Sequence, residues 1–227
     1  MDRFRKYTKS WIKSETAAQK HVRAGFVLRK LGKVYPRARI VLNFANHIQL
    51  LVAVILSAQC TDKKVNEVTR VLFKRYRTVR DFAHARQEEL QKYIRPTGFF
   101  RAKAKNIIGA AGKIERDFGG KLPRTMKEMT TLPGVARKTA NIVLGNAYGI
   151  VEGIAVDTHV SRISQRLGLT TSDNPVKIEL DLMGLFPKKS WFRSTYYMIE
   201  HGRAICTSRN RKCEICPLKD VCPSSLV

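Results

Sequence analysis

The sequence predicts an all-α protein. Apolar residues recur at helical spacing in most segments, and stretches rich in turn-forming residues separate these segments. No stretch shows the sustained alternation of apolar and polar residues, bounded by turn residues, that is typical of a half-buried strand. The chain has 227 residues, a length that fits one large domain or two small ones. Folding can bury on the order of 70% of the surface of such an unfolded chain, so a substantial core is expected.

The predicted helices follow one another with short turns between them. The first lies behind a basic tail and carries apolar residues at roughly helical spacing, namely Val22, Val27, Leu31 and Val34. Residues 47–60, HIQLLVAVILSAQC, are apolar nearly all round, as in a helix that other helices surround, so this segment is predicted to be the central helix. Further helices are expected at 62–76, 86–95, 99–118, 125–131, 136–148, 157–168, 175–186 and 189–205. The turns between them are indicated by RPTG, GGKLP, LPGV, SDNP and FPKK.

The charge of the chain indicates a polyanionic partner. Its 43 Lys and Arg against 18 Asp and Glu give a formal net charge of +25, far more than solubility requires. Nucleic acid and an anionic membrane surface both fit this charge. No apolar run approaches the roughly 18 residues of a membrane-spanning helix, and no lipidation signal is found. Nucleic acid is therefore the predicted partner, with no role for a membrane.

The N-terminal stretch and the cysteines indicate the compartment. MDRFRKYTKSWIKSE is basic, but neither an apolar core nor a small-residue cleavage site follows it, so no signal peptide is predicted. We expect the protein to remain in the cytoplasm and to associate with the nucleoid. In that reducing compartment the five cysteines are expected to be metal ligands or plain thiols rather than disulfides.

The stretch TTLPGVARKTA predicts two helices joined by a tight turn. Gly134 permits a positive φ, and the backbone amides from Gly134 to Ala136, with Val135 between them, precede or open a new helix without carbonyl partners inside it. Free amides at a helix start bind phosphate, although an αα-hairpin that serves packing alone has the same pattern. In so basic a chain we favour phosphate binding.

A lysine and an aspartate near this hairpin are candidate catalytic residues. Lys138 lies on the polar face of the second helix, and Asp157 stands later in the chain, between a short apolar run and a helix. Neither residue alone indicates chemistry, because an exposed lysine is usually solvated and an aspartate at a helix start is usually an N-cap. Their occurrence in this order after a hairpin is more specific than either residue by itself.

Four cysteines near the C-terminus form a candidate metal site. Their spacing is C-x6-C-x2-C-x5-C within 17 residues, at Cys206, Cys213, Cys216 and Cys222. Four thiolates so close along the chain can enclose one tetrahedral metal ion or a cubane cluster. The spacing is weak evidence against zinc, because zinc ribbons usually carry two C-x2-C pairs. The first interval forms a loop suited to contact phosphates, and its basic residues are Arg209, Arg211 and Lys212.

The order of these motifs resembles the helix-hairpin-helix DNA glycosylase family, and most closely its endonuclease III branch. GxxRKTAN in the hairpin is followed by VDTHV and by the cysteine cluster, and the similarity covers nearly all of residues 25–222. It includes LLVAVILSAQCTDKKVN and TGFFRAKAKNI. The resemblance implies a two-lobed helix-hairpin-helix glycosylase fold, with a helical barrel lobe and an iron-sulfur lobe.

The resemblance also implies the extent of each lobe. The barrel lobe is expected at residues 41–150, with the helix-hairpin-helix at about 125–148. The other lobe is expected to combine residues 1–40, a basic segment and a helix, with residues 151–227, which carry the cluster loop at 206–222.

A bifunctional DNA glycosylase and AP lyase of base excision repair is the function that the resemblance implies. Lys138 matches the family's catalytic lysine, whose amine attacks C1′ of a damaged nucleotide and forms a Schiff base. Asp157 matches the catalytic aspartate, which stabilises the positive charge that develops on the sugar. β-Elimination then breaks the strand. The expected substrate is duplex DNA with oxidised pyrimidines or abasic sites, and the protein is expected to act as a monomer.

The same resemblance also implies which residues take part in base flipping and in cofactor binding. Gln59 matches a glutamine that fills the gap in the duplex, and Phe99 matches an apolar wedge that is more often leucine. The structural alternatives are that Gln59 is a polar residue at a helix end and that Phe99 is an aromatic residue of the core. Asp62 either lines the pocket or caps the helix that starts at Lys63. Ala136 stands where the family usually has a second glycine. The four cysteines are implied to bind a [4Fe-4S] cluster.

Two other functions remain open. One is a sister glycosylase for mismatched adenine or thymine or for ultraviolet photoproducts. The adenine branch carries a serine at the position of Lys138 and a glutamate in the helix that matches residues 47–60, where this chain has no acid. The other is a DNA-binding module without catalysis, or a cluster-based redox sensor. The presence of both Lys138 and Asp157 argues against it, because binding requires neither.

Overall fold

The structure is a computed structural model that describes residues 7–227. Within this range the α-helices are α1 (Ala17–Val34), α2 (His47–Leu56), α3 (Asp62–Arg75), α4 (Val79–Ala83), α5 (Gln87–Ile94), α6 (Phe100–Phe118), α7 (Met126–Met129), α8 (Arg137–Tyr148), α9 (Thr158–Arg166), α10 (Pro175–Leu185) and α11 (Trp191–Ala204). Short 3-10 helices lie at Ser10–Lys13, Arg95–Thr97, Lys188–Ser190 and Lys219–Val221. The described residues form no strand, only one isolated bridge between Cys206 and Arg211. The all-α prediction is confirmed.

One helix, α4, was not predicted by the periodicity of apolar residues. The hydroxyl of its N-cap, Thr78, accepts a hydrogen bond from the amide of Asp81 at 3.1 Å, and the Asp81 carboxylate accepts one from the Thr78 amide at 2.9 Å. This reciprocal capping box satisfies two backbone donors at the helix start. Five residues are too few to show a helical period, so the capping signature was the available signal.

The chain divides into two compact units. One consists of Ile40–Glu152, and the other combines the described part of Met1–Arg39 with Gly153–Val227. In the first unit, every residue from Ile48 to Leu56 of α2 is buried, as expected for a central helix. α2 packs against α6 and α8. No helix within residues 7–227 is both long and apolar enough to cross a membrane.

α1, α9, α10 and α11 pack together around the core of the second unit. Apolar side chains from all four helices meet there, including Val27, Val160, Ile178 and Met198. A helix from near the N-terminus therefore shares its core with helices that follow residue 153.

Polar contacts also hold the segment before α1 in this unit. The amide of Thr8 donates to the carbonyl of Pro223 at 2.8 Å. Arg23 of α1 is 8% exposed and forms a two-pronged ion pair with Glu15, with N–O distances of 2.5 and 2.7 Å. The same guanidinium donates to the carbonyl of Leu167 at 2.6 Å. The chain from Thr8 to Glu15 is thus fixed to this unit, and Thr8 is bonded next to Cys222, at the end of the cysteine-rich region.

Candidate functional site

A tight turn joins α7 to α8. Pro133 and Gly134 lie at its centre, and Gly134 has a φ of 75°. The amide of Val135 donates to the carbonyl of Leu132 at 3.1 Å, which is the hydrogen bond that closes a β-turn with glycine at its third position. The amide of Val135 is therefore occupied. The expectation that all the amides from Gly134 to Ala136 are free donors is wrong at this residue.

Ala136 begins the second helix of the hairpin. It is exposed, its backbone is extended with φ −86° and ψ 171°, and it is the N-cap of α8. An alanine side chain has no polar atom that can cap the first amides of the helix. Because a phosphate oxygen can accept hydrogen bonds from such amides, the start of α8 keeps the chemistry expected of an anion-binding turn.

The turn rests on α6, a contact that sequence reasoning missed. A Cβ built on Gly134 would lie 2.8 Å from the Cβ of Asn106, and one built on Gly109 would lie 3.2 Å from the ring of Pro133. Asn106 and Gly109 are three residues apart, so they lie on the same face of α6. This face fixes the position of the turn in the unit.

Replacement of Gly134 by alanine is expected to destabilise the hairpin and to weaken DNA binding. The left-handed φ of 75° and the overlap of a Cβ with Asn106 both disfavour an alanine at this position. A strained backbone conformation of this kind lowers the free energy of unfolding by about 1–3 kcal/mol. Gly149→Ala is the matched control, because Gly149 has a φ of 66° at the other end of α8 but open space around its Cβ position. The measurements are urea unfolding and DNA affinity. Equal losses in the two variants would show that the Asn106 contact contributes nothing.

Lys138 is the second residue of α8 and is exposed. It lies in the first turn of the hairpin's second helix, directly after the tight turn. The next polar residue on this side, Asn141, is buried, and so is Gly145. The helix therefore buries its middle, Ala140 to Gly145 except Ile142, and leaves Lys138 as its one exposed residue.

Asp157 is the N-cap of α9 in the other unit. One carboxylate oxygen, Oδ1, accepts a hydrogen bond from the amide of Val160 at 2.8 Å. The preceding residues, 154–156, are buried and apolar, so they anchor the cap. Asp157 is therefore an N-cap, the structural role that its position before a helix predicted. An N-cap uses one of the two carboxylate oxygens, and it holds the side chain in one orientation at the end of a rigid element.

Gln59 and Phe99 occupy two strained turns. Among residues 7–227 they are the only non-glycine residues with positive φ, at 52° and 48°. α2 ends at Leu56 instead of continuing through residue 60, so Gln59 lies in the turn that follows and is exposed. Phe99 precedes α6 and is 65% exposed. The alternative that Phe99 is a core aromatic is therefore wrong.

Asp62 does not cap the helix that follows it. The N-cap of α3 is Thr61, whose hydroxyl accepts a hydrogen bond from the amide of Lys64 at 3.3 Å. Asp62 is the first residue of α3 and is half-buried. The capping alternative failed because two neighbouring residues, Thr61 and Asp62, can both cap, and the sequence does not show which one adopts the extended backbone.

The four C-terminal cysteines line one cavity, together with residues of α9 and α11. Each cysteine is half-buried. Burial, together with the neighbouring cysteines, raises the pKa of the Cys222 thiol to about 11. Within residues 7–227 no three His, Cys, Asp or Glu side chains form a group that could hold a single metal ion. The four cysteines therefore share one cavity.

Arg166, the last residue of α9, holds the start of the cysteine loop. Its guanidinium donates to the carbonyls of Thr207 at 2.6 Å and Ser208 at 3.0 Å, and it lies 3.2 Å from Sγ of Cys206. On the other side, Nε2 of His201 lies 3.7 Å from Sγ of Cys216. Sequence reasoning missed both Arg166 and His201, because each belongs to a helix outside the cysteine motif.

The three basic residues of the loop differ in their surroundings. Arg209 and Lys212 are exposed. Arg211 is half-buried, and its guanidinium donates to the carbonyl of Ser224 at 2.9 Å. Arg211 therefore ties the loop to the C-terminal residues, whereas Arg209 and Lys212 present their charges to solvent.

The comparisons with known proteins show similarity over most of the chain, the hairpin included. The family model of the HhH-GPD superfamily base excision DNA repair proteins matches residues 52–188. Endonuclease III of Synechocystis sp. is 51% identical over 208 residues, which cover 92% of this chain and 95% of the relative. A solved non-covalent complex of an endonuclease III with DNA is 40% identical, with a TM-score of 0.86, and the match covers 90% of this chain and 96% of that one. A trapped covalent intermediate of endonuclease III with DNA has the same identity, coverage and TM-score.

The family-model match spans the hairpin and parts of both units, and the Synechocystis relative matches 92% of the chain. Both the family-model match and the identity to the Synechocystis relative cover more than half of the chain. The predicted resemblance and the base excision repair class are confirmed. The chain belongs to the HhH-GPD superfamily of base excision DNA repair proteins and, within it, to the endonuclease III family.

Proposed function

We propose that this protein is a DNA glycosylase and AP lyase that uses Lys138 as its nucleophile. The observation that carries the proposal is an exposed lysine in the first turn of the hairpin's second helix, in a chain of the endonuclease III family. A covalent route is supported by the similarity to an endonuclease III that was trapped as a covalent intermediate with DNA.

In the proposed reaction the neutral amine of Lys138 attacks C1′ of the damaged nucleotide, and the bond from C1′ to the base breaks. The base leaves with the electron pair of that bond and takes up a proton. Opening of the sugar ring and loss of the amine protons give a Schiff base between Lys138 and C1′. The Schiff base makes the C2′ proton acidic, so its removal expels the 3′ phosphate by β-elimination. Hydrolysis of the product imine then frees the lysine.

Asp157 is proposed to stabilise the positive charge that develops on the sugar. A fixed carboxylate next to a cationic transition state lowers the barrier without reorganisation at the moment of reaction. The N-cap hydrogen bond to Val160 supports this role, because it holds the carboxylate in place before substrate arrives.

DNA binding is proposed to combine charge with insertion into the duplex. The net charge of +25 supports a large electrostatic contribution, and the start of α8, Arg209 and Lys212 are the proposed phosphate contacts. Gln59 and Phe99 are proposed to fill the space that the flipped nucleotide leaves, a step that costs a few kcal/mol of unstacking. Their exposure on two neighbouring turns of one unit supports this assignment.

The four cysteines are proposed to hold a [4Fe-4S] cluster. A cubane binds one thiolate at each of its four irons, so it requires cysteines spread around a cavity, as Cys206, Cys213, Cys216 and Cys222 are. When bound, the cluster supplies metal–thiolate bonds that stabilise residues 206–222. The guanidinium of Arg166 lies 3.2 Å from Sγ of Cys206, so it can donate a hydrogen bond to this proposed ligand atom.

The proposed substrates are duplexes with oxidised or ring-saturated pyrimidines, and duplexes with abasic sites. We expect base release from thymine glycol, and strand cleavage at the same position, when a panel of duplexes that each carry one defined lesion is incubated with the protein. Base release and cleavage are scored separately, because the lyase step follows the glycosylase step. A mismatched thymine, a mismatched adenine and an ultraviolet photoproduct complete the panel. Faster base release from one of these than from thymine glycol would assign the protein to a sister specificity.

A further inference from the structure

A buried lysine connects the two strained turns of the Ile40–Glu152 unit. Lys103 lies in the first turn of α6 and is 4% exposed. Its ammonium donates to the carbonyl of Leu56 and to the carbonyl of Thr97, at 2.8 Å in each case. Burial lowers the pKa of this lysine. Its side chain thus fills a place in the core that an apolar residue of similar length could occupy.

The two carbonyls belong to the segments that carry Gln59 and Phe99. Leu56 is the last residue of α2, three residues before Gln59, and its carbonyl lies at a helix end, where helical partners are lacking. Thr97 is the last residue of a 3-10 turn, two residues before Phe99. One ammonium therefore fixes the distance between the two turns.

Lys103 also contacts the second turn through its backbone. Its amide donates to the carbonyl of Phe99 at 3.0 Å, so Phe99 is the residue from which α6 starts. A non-glycine residue with positive φ persists only where its surroundings hold it. The side chain and the backbone of Lys103 hold the residues on both sides of Gly98, and the side chain also holds the end of α2.

We propose that Lys103 is a positioning residue that sets the separation of Gln59 and Phe99, so that both side chains enter the duplex together. The inference rests on the proposed function, in which these two residues fill the gap left by the flipped nucleotide. A shift of either turn would leave one of them outside the gap. Lys103 has no contact with DNA in this proposal and acts only through the two turns.

The first test compares Lys103→Met with Lys105→Met. Both remove one positive charge from α6, but Lys105 is exposed, so it serves as the matched control for charge. The readout is the ratio of affinities for a duplex with a tetrahydrofuran abasic analogue and for an intact duplex. We expect Lys103→Met to lower this ratio by about 10- to 100-fold, the effect of losing the stacking of an inserted side chain on the bases. Affinity for the intact duplex should change no more than in Lys105→Met. The same ratio in both variants would overturn the proposal.

Lys103→Gln keeps the test decisive if Lys103→Met does not fold. Its amide carries two N–H donors on a side chain one bond shorter, so it can satisfy one carbonyl at a time and leaves the separation of the turns variable. We expect a folded protein, as measured by thermal unfolding, with a reduced affinity ratio. A folded Lys103→Gln protein with the wild-type ratio would contradict the positioning role.

A double-mutant cycle shows whether Lys103 acts through the two turns. In the Gln59→Ala/Phe99→Ala background, the Lys103 substitution is expected to cause no further loss of the affinity ratio, because the side chains that it positions are absent. The same fold-loss in both backgrounds would mean that Lys103 acts independently, and it would overturn this inference alone. A Gln59→Ala/Phe99→Ala protein that keeps the wild-type ratio would overturn the insertion step of the proposed function together with this inference.

Discussion

Lys138→Ala is expected to lose covalent trapping on DNA while it keeps its affinity for DNA. Borohydride reduces the Schiff base between the lysine and C1′, so wild-type protein should become linked to a duplex that contains an abasic site. Without the amine no such intermediate forms. The loss of the trapped species and of strand cleavage should reach about a thousandfold or more, as when the nucleophile of a covalent mechanism is removed. The measurement is the rate of appearance of the cross-linked species in a denaturing gel.

The control for this experiment is Lys127→Ala. Lys127 is exposed in α7, the other helix of the hairpin, so its removal changes the charge of the hairpin by the same amount. We expect trapping by Lys127→Ala to remain close to wild type at saturating DNA. Full trapping by Lys138→Ala would show that another amine is the nucleophile.

Cys213→Ser is expected to remove the cluster and to destabilise residues 206–222. The wild-type protein should be brown and contain iron and sulfide, each about four per chain. Few apolar side chains lie in this segment, so metal–thiolate bonds are needed to supply its folding free energy. The variant should lose iron, unfold at a lower denaturant concentration and bind DNA more weakly, because Arg209 and Lys212 lose their fixed positions. The measurements are iron and sulfide content, denaturant unfolding and DNA affinity.

Cys60→Ser is the matched control for Cys213→Ser. Cys60 is also half-buried, but it packs against the core of the Ile40–Glu152 unit and does not line the cysteine cavity. Its variant should keep wild-type iron content. Stoichiometric zinc in colourless, active protein would refute the cluster, and equal iron loss in both variants would show that the effect is not specific to the cavity.

Helix positions follow closely from the sequence wherever a long apolar stripe exists. α8 begins one residue later than predicted and α10 ends one residue earlier. α2 is shorter, because residues 57–60 continue the apolar composition but form turns. α4 is absent from the prediction, because a helix of five residues is specified by its cap and its packing rather than by a period. The local pattern of apolar residues is therefore sufficient to predict long amphipathic helices and insufficient to predict short ones.

The residues of the candidate site could be predicted from the sequence to different degrees. Lys138 and Asp157 were selected by the order of motifs along the chain, and the structure adds their exposure and the N-cap at Asp157. Their catalytic roles remain predictions. Thr61, rather than Asp62, caps α3, and Arg211 ties the loop to Ser224. Those outcomes depend on backbone angles and on contacts between distant residues, which residue type does not specify.

The sequence by itself determined the all-α class, the hairpin, the cysteine spacing and the preference for a polyanion, because periodicity, turn residues and net charge are local or additive properties. Tertiary structure alone decided that the Val135 amide closes the turn and that Asn106 packs on Gly134. It also decided that the ammonium of Lys103 joins the carbonyls of Leu56 and Thr97. Lys103 and Leu56 are separated by 47 residues. Their hydrogen bond exists only because α2 and α6 pack together, and no local pattern encodes that contact.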